Sequence, residues 1–138
     1  VSSMGAFVPV PGQTVYGASK AAVKFFTEGL YAELRGTSVA VTVVFPGGVA
    51  TGIAQNSGAR IPGAPEADAG GADADAKKMA ASLTSPQDAA AAIIGGIERG
   101  SYRVVIGKDA TMLDRLSRLA PQRATDLVAK KMASLLGH

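Results

Sequence analysis

The sequence predicts an α/β fold built on a parallel sheet, and three consecutive segments support this. Residues 1–3 read as the end of a strand, and residues 15–34 repeat apolar side chains at helical spacing. Residues 39–45 are almost continuously apolar and β-branched, as expected for a parallel strand that is covered on both faces. A strand, a helix and a strand in succession imply a right-handed crossover, so the two strands are expected to run in parallel.

The helix over residues 15–34 has the clearest pattern. It follows a turn-rich loop over residues 4–14 and is expected to stop near Gly36. Small residues lie beside Tyr16 and Lys20 on this helix, so another backbone could approach it closely. Packing within one subunit and packing against a second subunit both explain these small residues.

The chain changes character after the second strand. Pro46-Gly47-Gly48 breaks that strand at its carboxyl end, where open parallel sheets place their ligands. Residues 52–84 are rich in Gly, Pro, Ala and Asp, so they have little to bury and are expected to be mobile. Their alternating aspartates lack the glycine turn and the final glutamate of a calcium loop, so no metal site is predicted.

The last third of the chain is predicted to return to regular structure. Ser85 and Pro86 form a helix-opening signature, because serine caps helix starts and proline suits the first helical position. This helix is expected to stop near Gly100. The segments expected after it are a strand at residues 103–107 and two amphipathic helices at residues 109–120 and 123–136.

Composition limits the class of protein. At 138 residues and 47% apolar residues, the chain is long enough for one core and too short to suggest two domains. The net charge of +3 is mild and the basic residues are scattered, so no nucleic-acid surface is predicted. With no cysteine the chain forms neither a disulfide nor a thiolate metal site, which fits a cytoplasmic protein.

Membrane insertion is not predicted, because no apolar stretch approaches the roughly 20 residues needed to cross a bilayer. The last helix is basic and amphipathic, and two interpretations of it stay open. It could lie on a membrane surface, or it could pack on its own domain or on a neighbouring subunit.

Tyr16 and Lys20 are the residues whose types and spacing indicate chemistry. Four residues apart on a helix, they share one face and can act on one bound molecule. A free phenol loses its proton near pH ~10, which is too high for a base at neutral pH, and a nearby ammonium stabilises the phenolate. At about 4 Å this attraction is worth roughly 4 kcal/mol, or about three pKa units. The pair could therefore transfer protons near neutral pH.

Two further motifs accompany this pair. Ser3 lies thirteen residues before Tyr16, and Pro46-Gly47 is followed by Thr51. With these motifs the sequence resembles the short-chain dehydrogenase/reductase family, whose members carry a serine at this distance before Tyr-x-x-x-Lys and a Pro-Gly-x-x-x-Thr element after the next strand. The resemblance runs from residue 1 to about residue 135 and covers the second half of such a protein.

The resemblance implies the C-terminal half of a Rossmann-like, doubly wound parallel sheet, with about three strands and crossover helices. Residues 1–138 would form the C-terminal part of one dinucleotide-binding and catalytic domain, without its N-terminal cofactor-binding half. Residues 51–84 would form a mobile substrate lid, and residues 109–136 the C-terminal helices. The family also implies a homodimer or homotetramer, in which the helix over residues 15–34 packs against its counterpart.

The resemblance also implies hydride transfer between NAD or NADP and an alcohol or ketone substrate. Tyr16 would be the acid and base, Lys20 would lower its pKa and bond the cofactor ribose, and Ser3 would hold the substrate oxygen. Val49 would bind the nicotinamide carboxamide through its backbone. The residues implied at the cofactor are Tyr16, Lys20, Pro46, Gly47, Val49 and Thr51, and the implied catalytic residues are Ser3, Tyr16 and Lys20.

Three other interpretations stay open. The chain could be a dinucleotide-binding scaffold that has lost catalysis, although all three visible site residues are intact. It could belong to related epimerases or dehydratases, but the run from Thr51 to His138 leaves little room for their larger substrate domain. The isolated polypeptide could also be inactive and bind dinucleotide weakly, because it lacks the phosphate-binding turn of the first half.

Overall fold

The computed structural model describes residues 1–51 and 83–136 and confirms the α/β fold. The lid predicted over residues 51–84 lies outside the described residues, except at its two ends. In chain order the elements are a short 3-10 helix (Met4–Ala6), α1 (Thr14–Glu33), β1 (Val43–Pro46), α2 (Pro86–Glu98), β2 (Arg103–Ile106), α3 (Lys108–Leu119) and α4 (Pro121–Leu136).

The sheet pairs β1 with β2 in parallel, starting with Val43 opposite Arg103. The connection between them includes α2, as a parallel pair requires. The third strand expected at residues 1–3 is reduced to one hydrogen bond, which the Ser2 N–H donates to the Val44 carbonyl at 2.8 Å. One such bond does not make a ladder, so the described part of the sheet has two strands instead of about three.

The first strand is also shorter than the one predicted over residues 39–45. It begins at Val43 because its partner strand begins at Arg103. Val39, which was expected inside the strand, is exposed. An extended segment becomes a strand only where a neighbour completes its backbone hydrogen bonds, and residues 39–42 have no such ladder within the described part of the chain.

Both faces of this sheet are covered. Val44 and Ile106 form a buried cluster with Ala89 of α2 on one face. On the other face Phe45 is completely buried, and its ring centroid lies 4.5 Å from that of Phe7. Adjacent residues of a strand point to opposite faces, so Val44 and Phe45 serve different layers. This explains why the strand reads as continuously apolar.

The two C-terminal helices pack on their own domain. Leu113 of α3 and Ala124 of α4 form a buried cluster with Val8, and Val128 packs against it. The helix α4 begins at Pro121, two residues earlier than predicted, because proline suits the first turn of a helix. Across residues 1–51 and 83–136, no helix is both long and apolar enough to cross a membrane.

The ends of the earlier helices follow local signals in the sequence. The Ser85 Oγ accepts a hydrogen bond from the Asp88 N–H at 3.0 Å and caps α2. Gly36 and Gly100 follow α1 and α2 with φ angles of +86° and +60°, a region that glycine adopts at little cost. The predicted start of α2 and the predicted stops of both helices are confirmed.

Gly96 sets the distance between α2 and the sheet. It is buried, and a β-carbon at this position would overlap Cγ2 of Val104 on β2. We expect Gly96→Ala to lower the free energy of unfolding by about 1–3 kcal/mol, because α2 must move outward. Gly95→Ala is the control, since its β-carbon would meet only the flexible end of Arg99 and alanine favours a helix by up to about 1 kcal/mol. Denaturant titration measures both variants, and equal effects would contradict this role of Gly96.

Candidate active site

Tyr16 and Lys20 lie in the first two turns of α1 and share one face, as their spacing predicts. The Lys20 Nζ is 5.6 Å from the centroid of the Tyr16 ring, within the range of a cation–π contact. Tyr16 is 46% exposed and Lys20 is half-buried. The pair is therefore held together and remains accessible to a ligand.

Ser3 lies on the other side of Gly5 from the tyrosine ring. Its extended backbone precedes the 3-10 helix, and its Oγ accepts a hydrogen bond from the Gly5 N–H at 3.2 Å. A β-carbon on Gly5 would lie 3.5 Å from Cε1 of Tyr16 and 3.6 Å from Oγ of Ser3. The hydroxyl and the phenol ring thus meet around one glycine, so the three predicted catalytic residues come together.

Ser2 holds this arrangement in place, and sequence reasoning did not identify it. Its Oγ donates to the Lys20 carbonyl at 2.7 Å, while its N–H donates to the Val44 carbonyl at 2.8 Å. The residue is only 3% exposed. One buried serine therefore joins the segment that carries Ser3 to both β1 and α1.

Gly17, the small residue next to Tyr16, allows another backbone segment to approach α1 closely. A β-carbon on Gly17 would lie 3.1 Å from the Gly5 carbonyl oxygen, which is tighter than almost all such contacts. A close backbone approach was predicted at this part of the helix. The partner that the structure shows for Gly17 is the 3-10 helix of the same chain.

The second predicted motif begins where β1 ends. Pro46 is the last residue of the strand, and the Gly47 N–H donates to the Ile106 carbonyl at 2.8 Å. Val49 then forms an isolated parallel bridge with Thr84. This bridge joins the two ends of the segment that lies outside the described residues.

The bridge leaves the Val49 backbone turned away from Thr84. The Thr84 N–H donates to the Gly48 carbonyl and the Thr84 carbonyl accepts from the Ala50 N–H, both at 2.9 Å. In a parallel pairing of this kind, the N–H and C=O of Val49 point to the opposite side. The carbonyl accepts from the Thr51 N–H at 2.9 Å, whereas the Val49 N–H has no partner among the described residues.

Asp109 is a second residue that sequence reasoning did not assign to the site. It lies in the first turn of α3, and its Oδ2 accepts a hydrogen bond from the Gly48 N–H at 2.8 Å. Acidic residues are common near helix starts, because their negative charge interacts favourably with the positive end of the helix dipole. The presence of Asp109 at this position therefore gives no sign of its contact with Gly48.

The two predicted groups lie near the same edge of the sheet. Ser3 follows a residue that is bonded to β1, and the segment from Pro46 to Thr51 continues from the carboxyl end of that strand. Among the described residues, however, no hydrogen bond or ion pair joins Tyr16 or Lys20 to Val49 or Thr51. A ligand that spans the two groups would have to make that connection.

Other features of the surface do not involve these residues. A cavity of about 640 Å³ runs along α3 from Gly107, with Met112 and Leu116 among its apolar lining residues. None of the predicted site residues lines it. In the part of the chain that the structure describes, no group of three or more His, Cys, Asp or Glu side chains could hold a metal ion.

Comparison with known proteins adds independent information. Residues 1–61 match the family model of the short chain dehydrogenases. SadH of Mycobacterium tuberculosis, which is named as an oxidoreductase, is 36% identical over 139 residues, covering 96% of this chain and 47% of SadH. EphD of the same species, also named as an oxidoreductase, is 32% identical over 123 residues, covering 88% of this chain and 21% of EphD.

A shorter match has a higher sequence identity. Sulfoacetaldehyde reductase 2 of Chromohalobacter salexigens is 59% identical over 39 residues, which is 28% of this chain and 16% of the reductase. No solved structure gives a significant match.

These matches agree with the motifs. The family model covers the residues from Ser3 to Thr51, which include both predicted groups of the site. The chain spans about half the length of SadH, with which it aligns over almost all of its own residues. The chain belongs to the short-chain dehydrogenase/reductase family.

Proposed function

We propose that this chain supplies the catalytic half of an NAD- or NADP-dependent enzyme that interconverts an alcohol and a carbonyl compound. The observation that carries the proposal is the meeting of Ser3 and Tyr16 around Gly5, with the Lys20 ammonium over the Tyr16 ring. A hydroxyl donor, an acid or base and a cation are the three groups that this proton transfer needs.

The proposed reaction starts with the substrate hydroxyl bound by Ser3. Tyr16, as the phenolate, takes the hydroxyl proton, and Lys20 stabilises the negative charge of the phenolate before transfer. The bound nicotinamide accepts the hydride from the substrate carbon. In the opposite direction Tyr16 protonates the oxygen of a carbonyl substrate, and Ser3 stabilises the charge that develops there.

The turn after β1 fits the nicotinamide end of the cofactor. Val49 offers an N–H without a partner in the described residues, and the oxygen of a carboxamide could accept a hydrogen bond from it. Pro46 and Thr51 border this turn, and Lys20 would bond the ribose hydroxyls. These residues would hold the nicotinamide, while the adenine end would bind elsewhere in the complete protein.

We also propose that α1 packs against its counterpart in a homodimer or homotetramer. Phe25 and Phe26 on this helix are 78% and 67% exposed. Adjacent large apolar side chains with this exposure are typical of a surface that another protein surface covers. The mass of the complete protein in solution tests this assembly.

Ser3→Ala tests the proposed reaction. We expect kcat to fall about tenfold to a hundredfold, because a hydrogen bond to developing charge is lost, while the Kd for the dinucleotide stays nearly constant. The assay follows nicotinamide absorbance in the complete protein with NAD and NADP, against a panel of alcohols, ketones and aldehydes. Aldehydes are included because one relative is named as a sulfoacetaldehyde reductase.

Ser19→Ala is the matched control. Ser19 is exposed on α1 and its Oγ donates only to the Tyr16 carbonyl, so this variant should keep wild-type kcat. A Ser3→Ala protein with wild-type kcat would rule out the role of Ser3. A wild-type protein that binds dinucleotide but turns over no member of the panel would favour a scaffold.

A further inference from the structure

Asp109 reaches across the sheet edge to the turn after β1. It is the second residue of α3, directly behind the carboxyl end of β2. Its Oδ2 accepts from the Gly48 N–H at 2.8 Å, a contact between residues that are 61 positions apart in the chain. The carboxylate therefore connects the carboxyl ends of two neighbouring strands.

Glycines leave room for this carboxylate. A β-carbon on Gly47 or on Gly107 would overlap the Asp109 side chain. Gly107 also has a φ of +96°, which side chains larger than hydrogen rarely allow. The glycines at the two strand ends therefore leave the space that the Asp109 side chain occupies.

The hydrogen bond from Gly48 to Asp109 restrains a residue with high conformational freedom. Gly48 has no side chain to restrict its φ and ψ angles, so its conformation must be fixed by hydrogen bonds on either side. The Gly48 N–H is held by Asp109, and the Gly48 carbonyl accepts from the Thr84 N–H at 2.9 Å. Both peptide planes that meet at Gly48 are therefore fixed.

The second of these planes includes the Val49 N–H. The peptide bond between Gly48 and Val49 is planar and trans, so its N–H points opposite to its carbonyl. The Thr84 bond holds this plane at its carbonyl and the Asp109 bond holds the preceding plane, so the two bonds together aim the Val49 N–H. We propose that Asp109 is a positioning residue, which orients the Val49 backbone toward the nicotinamide carboxamide. This proposal rests on the function proposed above.

The test compares two ligands in the complete protein. Titration calorimetry gives the Kd of the preferred dinucleotide and the Kd of ADP-ribose, or of its 2′-phosphate if NADP is preferred. ADP-ribose lacks the nicotinamide, so it does not use the Val49 contact. We expect Asp109→Ala to weaken dinucleotide binding about tenfold and to leave ADP-ribose binding unchanged. Asp109→Asn keeps an acceptor oxygen and should retain dinucleotide binding within about threefold.

Two controls separate positioning from folding. Asp88→Ala removes an acidic residue from the first turn of α2 and should change neither Kd. If Asp109→Ala does not fold, Asp109→Leu replaces it, because leucine has a similar shape without an acceptor. Equal losses for both ligands, or no loss for the dinucleotide, would overturn the positioning role. A wild-type protein that binds neither NAD nor NADP would instead overturn the proposed function, and this proposal with it.

Discussion

Tyr16→Phe is expected to lower kcat of the complete protein by about a thousandfold or more while leaving dinucleotide affinity nearly unchanged. Phenylalanine keeps the ring that packs beside Gly5, so only the group that exchanges the proton is lost. General acid–base catalysis typically contributes about 10²–10⁴-fold to a rate, and Tyr16 is the one residue assigned that role here. Steady-state rates and dinucleotide titration measure the two quantities separately.

Tyr31→Phe is the matched control for this variant. Tyr31 lies on the same helix, and its ring packs against that of Tyr102 at a centroid distance of 4.5 Å, away from the proposed site. Removal of its hydroxyl should leave kcat at the wild-type value. If Tyr16→Phe also keeps the wild-type rate, the acid–base assignment is wrong.

Lys20→Met should have the next largest effect, a fall in kcat of about a hundredfold. The Lys20 Nζ lies 5.6 Å from the Tyr16 ring centroid, so the ammonium is placed to stabilise negative charge on the tyrosine during proton transfer. The KM for the dinucleotide should also rise, because Lys20 is proposed to bond the ribose.

Two further variants make this test specific. Lys20→Arg keeps the positive charge and should recover part of the rate. Lys24→Met removes the next lysine of α1, which pairs with Glu28 at 2.8 Å instead of facing the tyrosine, and should keep the wild-type kcat. A wild-type kcat for Lys20→Met would show that the cation does not assist Tyr16.

The parts of the fold that the sequence predicted well depend on local chemistry. Ser85 and Pro86 start a helix through groups that lie within one turn of each other, and Gly36 ends one by its own conformation. The strand expected at residues 39–45 was too long because the extent of a strand depends on its neighbour. Apolar sequence alone contains no information about where the neighbour begins.

The residues of the candidate site also fall into those that local sequence identifies and those that depend on distant partners. Tyr16 and Lys20 could be recognised because a helix converts their spacing directly into proximity. Ser2 and Asp109 could not, because their partners are Lys20, 18 positions away, and Gly48, 61 positions away. Such contacts arise only when the strands and helices assemble.

The bridge between Val49 and Thr84 has an evolutionary consequence. Because Val49 and Thr84 are paired, the two ends of the stretch between them lie side by side, so its length and composition can change without moving the strand end or the start of α2. Insertions, deletions or grafts in this stretch would then spare the reacting groups. If this stretch selects the substrate, as the family resemblance implies, selectivity can diversify independently of the chemistry.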